Sequence, residues 1–161
     1  MRILARCALV AFVLVGCVGC DQVSKIAARQ YLPGTAVHSY LGDTLRLQFA
    51  QNPGAFLSLG DSLPATVRYG AFTMGVGLLI VVLLGWAVLS DRLTRGQRIA
   101  MAAMGAGGAG NLIDRIRFEG AVTDFLNLGI GSVRTGIFNV ADAILMLAVV
   151  LLLQGWSRQR R

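Results

Sequence analysis

The sequence predicts an α-helical polytopic membrane protein with four transmembrane helices, a small extracytoplasmic β-sheet and a short interfacial helix. Composition supports the membrane assignment. Of the 161 residues, 55% are hydrophobic and 14% are charged, whereas a soluble domain carries about 25% charged residues. So few charges could not cover the large relative surface of a small soluble enzyme. The high hydrophobicity also excludes a disordered chain.

Four apolar runs divide the chain into predicted spans. Three of them have the length of about 20 residues that a helix needs to cross a bilayer. The third is short and rich in Gly and Ala, and it reaches spanning length only if its helix continues through Asn111, Asp114 and Arg115. We expect one domain, with two connections (residues 21–68 and 114–136) on the same side of the membrane. The predicted spans are residues 3–20, 69–90, 99–113 and 137–156.

The distribution of arginines predicts the orientation. Eight of the 15 basic residues lie in the three regions that a four-span topology places on one side. By the positive-inside rule this side is cytoplasmic, so both termini are cytoplasmic and both long connections are extracytoplasmic. The net charge of +7 is thus a topology signal, and we expect no nucleic-acid partner. The eight residues are Arg2, Arg6, Arg92, Arg95, Arg98, Arg158, Arg160 and Arg161.

The two extracytoplasmic connections contain local patterns of their own. Residues 44–50 alternate apolar and polar side chains, which is typical of a half-buried strand. Asp61 and Ser62 can cap the short interfacial helix, with Pro64 in its first turn. Glycines at the end of the second connection indicate a turn or hairpin. The single histidine, His38, is interpreted as a loop residue.

Two carboxylates are the candidate catalytic groups. Asp142 lies inside the fourth span, and Asn139 precedes it by three residues, so the two would share a helix face. Asp124 lies in a short apolar stretch of the second connection. Two carboxyls in an apolar site share one proton, so one can deprotonate water while the other polarises a carbonyl. This is aspartic peptidase chemistry, and we expect no metal and no cofactor.

Further polar residues collect at the same membrane surface. Asn111, Asp114 and Arg115 lie on one face at the end of the third span. Asp21 and Lys25 have helical i, i+4 spacing where the first span ends. The residues alone also permit simpler roles, since Asp114 with Arg115 could close a helix end and Asp21 with Lys25 could be a surface ion pair.

Two alternatives remain at this point. Asp142 could be a buried acid bonded to a neighbouring helix, or the proton relay of a membrane transporter or channel subunit. Residues 14–17 (LVGC) also fit a lipobox, which would make the first span a cleaved signal peptide. Removal of that span would place the arginine-rich loop on the wrong side, so we expect it to be retained.

Five motifs follow one another along nearly the whole chain. They are DQVSK at residues 21–25, NPGA at 52–55, GNLIDR at 110–115, VTDF at 122–125 and FNVAD at 138–142. Together, on four predicted spans, they resemble the lipoprotein signal peptidases (type II signal peptidases) of bacterial membranes.

That resemblance implies an enzyme of the cytoplasmic (inner) membrane that removes signal peptides from diacylglyceryl-modified prolipoproteins, cleaving before the lipid-bearing Cys. Its partners would be these substrates and membrane lipids, and we expect a monomer. Asp124 and Asp142 match the family's catalytic pair. The other matching residues divide by implied role: Asn111, Arg115 and Asn139 line the site, Asn52 and Gly54 contact substrate, Asp114 orients Arg115 or a loop, and Asp21 and Lys25 support stability.

Overall fold

The computed structural model describes residues 2–34, 36–54 and 64–159. Within these residues, helices and a small sheet alternate along the chain, and a π-helical segment leads into one of the long helices. The elements are α1 (Ile3–Tyr31), β1 (His38–Tyr40), β2 (Leu45–Asn52), α2 (Ala65–Arg68), the π-helical segment (Tyr69–Gly75), α3 (Val76–Leu89), α4 (Arg95–Arg117), β3 (Val122–Ile130), β4 (Val133–Arg134) and α5 (Val140–Gln159).

In the part of the chain that the structure describes, three helical stretches are long and apolar enough to cross a membrane: Ile3–Tyr31, Tyr69–Leu89 and Val140–Ser157. Their large apolar side chains point outward. Phe12, for example, is 79% exposed and Met146 is 61% exposed, as expected of surfaces that contact lipid. The architecture is that of a polytopic membrane protein.

Helix α1 is longer than the predicted span. It continues through residues 21–31, which the sequence pattern assigns to a connection. The apolar pattern ends at Cys20, but the helix continues because the next turns bury polar side chains against the rest of the fold. Asp21 and Lys25 are both 0% exposed. The DQVSK motif is therefore helical.

Helix α4 lies between α1, α3 and α5 and packs against all three. It begins with a reciprocal capping box, in which Gln97 N donates to Thr94 Oγ1 at 3.2 Å and Thr94 N donates to Gln97 Oε1 at 3.0 Å. It continues through Asn111 and Arg115 to Arg117. The 23-residue helix thus has spanning length, and its crossing of the membrane stays a prediction.

Glycines let α4 approach its neighbours closely. A Cβ atom at Gly105 would lie 2.6 Å from the Leu84 side chain of α3, and one at Gly107 would lie 2.7 Å from the Ala141 carbonyl oxygen of α5. Small residues serve this purpose in helix pairs that lack a hydrophobic driving force.

The C-terminal end of α3 is capped by two arginines. Arg98, only 2% exposed, donates to the Ala87 carbonyl oxygen and, at 2.9 Å, to that of Ser90. Arg6 of α1 forms an ion pair with Asp91 and donates to the Ser90 carbonyl oxygen at 3.4 Å. These contacts place the start of α1, the end of α3 and the start of α4 together, and we call this end the basic end.

The four strands form one antiparallel sheet in the order β1-β2-β3-β4. The predicted strand at residues 44–50 is confirmed as β2, and the predicted hairpin is β3–β4, with Gly131 in its turn at φ +58°. Ala50 of β2 lies opposite Asp124 of β3. The pairing of these two strands holds Asp124 in the part of the sheet that adjoins the membrane-spanning helices. His38 lies in edge strand β1 rather than in a loop.

The predicted interfacial helix is only partly described. Its cap at Asp61 and Ser62 lies outside the described residues, and Pro64 precedes the four-residue α2, which runs directly into the π-helical segment. Whether an interfacial helix precedes α2 stays a prediction.

Candidate active site

One residue, Asn139, connects the two candidate carboxylates. Asp124 is near the start of β3 and Asp142 is in the first turn of α5. Asn139 Nδ2 donates to Asp124 Oδ1 at 2.6 Å, and the Asn139 backbone N donates to Asp142 Oδ2 at 3.2 Å. The structure thus brings together the two carboxylates that the sequence singled out.

Asn139 also begins helix α5. Its Oδ1 accepts a hydrogen bond from Asp142 N at 3.0 Å, while Asp142 Oδ2 accepts from the Asn139 N–H, which completes a capping box. The expectation that Asn139 and Asp142 share a helix face was wrong, because α5 starts at Val140 and Asn139 is its N-cap. Asp142 therefore lies in the first turn of α5, at the start of the stretch Val140–Ser157 that can span the membrane.

Two more asparagines hold the pair. Asn52 Nδ2 donates to Asp124 Oδ2 at 2.9 Å, and Asn111 Nδ2 donates to Asp142 Oδ1 at 2.9 Å. Every one of the four carboxylate oxygens therefore accepts an N–H. These bonds fix the side-chain torsions of both acids, and no ion pair among the described side chains places a cation directly against either one.

Both acids are buried, with 2% exposure for Asp124 and 7% for Asp142. Burial raises the pKa of Asp124 to about 6. The hydrogen bond from Asn52 opposes that shift, and the negative charge of Asp142 adds to it. Asp124 can therefore be protonated or ionised near neutral pH, as a shared-proton pair requires.

Arg115 holds the loop that follows β2. Its Nη2 donates to the Gly54 carbonyl oxygen at 3.0 Å, and the Gly54 N–H donates to Asn52 Oδ1 at 3.0 Å. The guanidinium carbon lies 5.9 Å from the centre of the Phe72 ring. Asn52, which Gly54 contacts in this way, also donates to Asp124. This hydrogen bond is additional to the substrate contact that the resemblance implies for Asn52.

A buried ionic cluster adjoins the pair. Lys25 Nζ lies 2.9 Å from Asp21 Oδ2, 3.4 Å from Asp114 Oδ2 and 2.8 Å from Asn111 Oδ1. All of these polar groups are buried. The ion pair expected between Asp21 and Lys25 exists, but the simpler interpretation of it as a surface pair was wrong.

The two acids of this cluster hold the elements that carry the candidate pair. Asp21 Oδ1 accepts from Ala141 N at 2.9 Å, at the start of α5, where a negative charge is favourable. Asp114 Oδ2 accepts from Thr123 N at 2.9 Å, next to Asp124 in β3. Asp114 thus contacts the start of strand β3, and the implied role of orienting Arg115 or a loop stays a prediction.

A family model described as signal peptidase (SPase) II matches residues 13–156 of the chain. The chain belongs to the signal peptidase II family. It is 35% identical over 149 residues to the lipoprotein signal peptidase of Treponema denticola, covering 87% of this chain and 86% of that protein. It is 32% identical over 158 residues to that of Bifidobacterium adolescentis, covering 92% and 76%. The resemblance seen in the motifs is confirmed.

Two solved structures, each described as a bacterial membrane enzyme, share the fold of this signal peptidase II chain. One has a TM-score of 0.78 and covers 99% of this chain and 92% of its own. The other has a TM-score of 0.72 and covers 95% and 92%. Both are 22% identical to it in sequence, so this likeness concerns the fold alone.

An apolar groove with a volume of about 450 Å³ adjoins the pair in this signal peptidase II chain. It opens between the start of α3, the second half of α4 and the first half of α5. Asp142, Asn111 and Arg115 supply its polar end. The rest of its lining is apolar or small, namely Val76, Gly108, Leu145, Met146, Val149 and Val150.

Sequence reasoning missed two residues of the site. Gln22 Nε2 donates to the Gly110 carbonyl oxygen at 3.1 Å and to Asp114 Oδ1 at 3.2 Å. Arg29 Nη1 donates to Thr123 Oγ1 at 2.8 Å. A signal for Arg29 was available, because it follows Lys25 by four residues and lies on the same face once α1 is extended beyond residue 20.

Proposed function

We propose that this chain is an aspartic endopeptidase that removes the signal peptide from diacylglyceryl-modified prolipoproteins, cleaving before the lipid-bearing Cys. Asp124 and Asp142 form its catalytic pair. The observation that carries the proposal is the contact of both buried carboxylates with Asn139 at the polar end of an apolar groove. Membership of the signal peptidase II family supports the reaction class.

The pair carries one proton between its two carboxyls in the active state. The ionised carboxylate removes a proton from a water molecule, whose oxygen bonds to the scissile carbonyl carbon. The protonated carboxyl donates its proton to the carbonyl oxygen. When the tetrahedral intermediate collapses, the C–N bond breaks, the leaving nitrogen takes a proton from the protonated carboxyl, and the ionised carboxylate takes a hydroxyl proton from the intermediate, so the pair again carries one proton. Asn52, Asn111 and Asn139 keep both acids in place throughout.

The apolar groove fits the chemistry of this substrate. A signal peptide is an apolar segment that starts in the bilayer, and the diacylglyceryl group adds acyl chains at the membrane surface. The groove offers Leu145, Met146 and Val149 to such groups and ends at Asp142. Arg115 and Asn52 lie at that end and can donate to substrate carbonyl groups.

We place the enzyme in the bacterial inner membrane as a monomer, with both termini in the cytoplasm and the active site at the extracytoplasmic face. The site lies at the opposite end of α1 and α4 from the basic end, as the positive-inside rule requires. A single chain supplies both carboxylates and the donors that hold them. Its partners are lipidated prolipoproteins and the surrounding membrane lipids.

The alternative of a proton-coupled transporter or channel is not favoured. A relay needs titratable groups distributed across the membrane depth. Asp21, Asp114, Asp124 and Asp142 instead gather at one end of the helices, where they share hydrogen-bond partners.

The proposal is tested by substituting Asp124→Asn and Asp142→Asn separately. Each variant should fold and yet fail to convert a lipidated prolipoprotein, because an amide can neither serve as a base nor share the proton. A gel-shift assay with purified enzyme and lipidated precursor measures cleavage. Glu119→Gln, the same chemical change at an exposed acid, is the matched control and should cleave normally. Full activity in either active-site variant would falsify the catalytic pair.

A further inference from the structure

We propose that Lys25 is a positioning residue of the active site, which sets the orientation of the Asn111 side-chain amide so that its NH2 group faces Asp142. This inference rests on the proposed function, since it assigns Lys25 to the same reaction. It extends beyond stability, the role that the sequence motif implied for this residue.

Lys25 makes its contacts from a fully buried position. Its side chain is 0% exposed, and Nζ lies 2.8 Å from Asn111 Oδ1. Asp21 Oδ2 at 2.9 Å and Asp114 Oδ2 at 3.4 Å surround the same ammonium group. These two acids hold Nζ in place from α1 and α4, so its direction toward Asn111 is fixed.

The oxygen and nitrogen of an asparagine amide have nearly the same shape, so sterics alone do not select one orientation. Here the chemistry of the neighbours does. Asn111 Oδ1 accepts from both Lys25 Nζ and Asn139 Nδ2, at 2.8 and 3.0 Å, while Nδ2 donates to Asp142 Oδ1 at 2.9 Å. A flipped amide would direct its oxygen at the carboxylate and its NH2 group at the ammonium.

Lysine is suited to enforce this choice because an ammonium group can only donate hydrogen bonds. A glutamine or serine at position 25 could accept as well as donate, so it would favour neither orientation itself and would leave that choice to the weaker, uncharged donor Asn139 Nδ2. Lys25 therefore acts on Asp142 through Asn111, without touching the reacting groups. Loss of the correctly oriented NH2 group would remove the hydrogen bond to Asp142 Oδ1, while the Asn139 N–H would still hold Oδ2.

The charged groups that face the pair come from two elements, α1 and α4. Asp21 and Lys25 lie on α1, Asp114 and Arg115 on α4, and Arg29 approaches Asp114 at 3.7 Å. Replacing Lys25 by a neutral residue removes one positive charge from this set. The ionised form of the pair then becomes harder to reach, so the acid limb of the pH–rate profile should move to higher pH.

The test compares Lys25→Met with Lys25→Arg. We expect kcat of Lys25→Met on lipidated precursor to fall roughly 10- to 100-fold, with the acid limb shifted upward by roughly one pH unit. Lys25→Arg keeps a cation that only donates, so it should retain the wild-type acid limb and most of kcat. A folded Lys25→Met with wild-type kcat and acid limb would overturn the proposal.

Gln22→Met is the matched control, because Gln22 bonds to Asp21 and Asp114 but does not contact Asn111. It should leave the acid limb unchanged, and an equal shift in this variant would show a general effect of disturbing the cluster. If Lys25→Met does not fold, Lys25→Gln replaces it under the same criteria, because it also removes the cation and can accept as well as donate a hydrogen bond.

A further measurement needs no variant of Lys25. In wild-type protein labelled with ¹⁵N-asparagine, the Asn111 NH2 signal should shift as the pair titrates, and an unresponsive signal overturns the proposal. Failure of this inference is distinguishable from failure of the proposed function. In the first case Asp142→Asn is inactive while Lys25→Met behaves as wild type, and in the second the wild-type chain itself does not cleave the precursor.

Discussion

At the residue scale, the candidate pair is held by neutral amides. Asn52, Asn111 and Asn139 supply side-chain N–H groups to the carboxylate oxygens. An arginine or lysine in direct contact would stabilise the ionised form strongly and prevent the sharing of a proton. Amides fix the geometry with a smaller electrostatic bias, and the cation Lys25 acts from one contact away, through Asn111.

This arrangement predicts the pH dependence of cleavage. Asp124 has a pKa of about 6, so activity should fall as the pH rises through the upper apparent pKa of the pair, because a doubly ionised pair has no proton to donate. It should also fall at low pH, where both carboxyls are protonated and no base remains. Initial rates of cleavage measured between pH 4 and pH 9 give the two limbs.

Asn52→Ala tests the assignment of the alkaline limb. The Asn52 hydrogen bond lowers the pKa of Asp124, so its removal should move the alkaline limb to higher pH as well as reduce the rate. Glu119→Gln serves as the control and should keep the wild-type profile. An alkaline limb that stays in place or moves to lower pH in Asn52→Ala contradicts the assignment to Asp124.

At the scale of elements, the site is built where helices end. The last turns of α1 supply Asp21 and Lys25, the last turns of α4 supply Asn111 and Arg115, and the N-cap of α5 is Asn139. Each helix end therefore contributes polar groups that its apolar middle could not accommodate. The sheet adds Asp124 from β3.

Hydropathy predicted the apolar cores of these helices but not their ends. The first and third predicted spans fall within α1 and α4. The second ends one residue after α3, and the fourth begins three residues before α5. The extension of α1 to Tyr31 was missed because it is stabilised by a buried ion pair with groups of α4, which apolar periodicity does not report. The short edge strand β1 was missed because it is defined by pairing with β2.

The motifs identified the site residues, whereas their geometry required the structure. The spacing of Asn139 and Asp142 fits either a shared helix face or a capping box. Only the starting residue of α5 decides between them. Similarly, the i, i+4 spacing of Asp21 and Lys25 predicted their ion pair, but its burial depends on α4, which is distant in sequence.

The crossing of α1, α4 and α5 yields a prediction at Gly110. A Cβ atom at this position would lie 2.5 Å from Asp21 Oδ2 and 3.4 Å from Ala141 Cβ. Gly110→Ala should therefore displace Asp21 from the start of α5, destabilise the protein by about 1–3 kcal/mol and reduce cleavage. Thermal unfolding in detergent and the gel-shift assay measure the two effects.

Gly19→Ala is the control for this substitution, since a Cβ atom there meets nothing within 4 Å. It should leave activity unchanged and can raise helix stability by up to about 1 kcal/mol. Equal stability of Gly110→Ala and Gly19→Ala would show that the close approach at Gly110 is unimportant.

At the scale of the whole molecule, the candidate active site and the basic end lie at opposite ends of the helices. The basic end contains Arg6 of α1, Arg92 of the loop between α3 and α4, and Arg95 and Arg98 of α4. The far end contains the candidate pair, the buried ionic cluster and the sheet. Apolar side chains cover the helices between them, so the protein is suited to hold its site at one membrane surface while arginines anchor the other.

This polarity predicts which loops are accessible from outside the cell. With Cys7, Cys17 and Cys20 replaced by Ala, a cysteine introduced at exposed Ser132, in the β3–β4 turn, should react with a membrane-impermeant maleimide in intact cells whose outer barrier is opened. A cysteine at Arg92, between α3 and α4, should react only after the inner membrane is permeabilised. The reverse pattern of labelling would contradict the proposed orientation.

The two tasks of Asn139 restrict which amino acids can occupy that position. Serine or threonine would cap α5 but would offer no amide to Asp124. Aspartate would also cap the helix, yet it would add a third carboxylate beside the pair. Glutamine keeps the amide but carries it one methylene farther from the cap. Asparagine therefore combines both tasks in one short side chain, and a mutation that re-caps α5 in another way also alters the chemistry of the site.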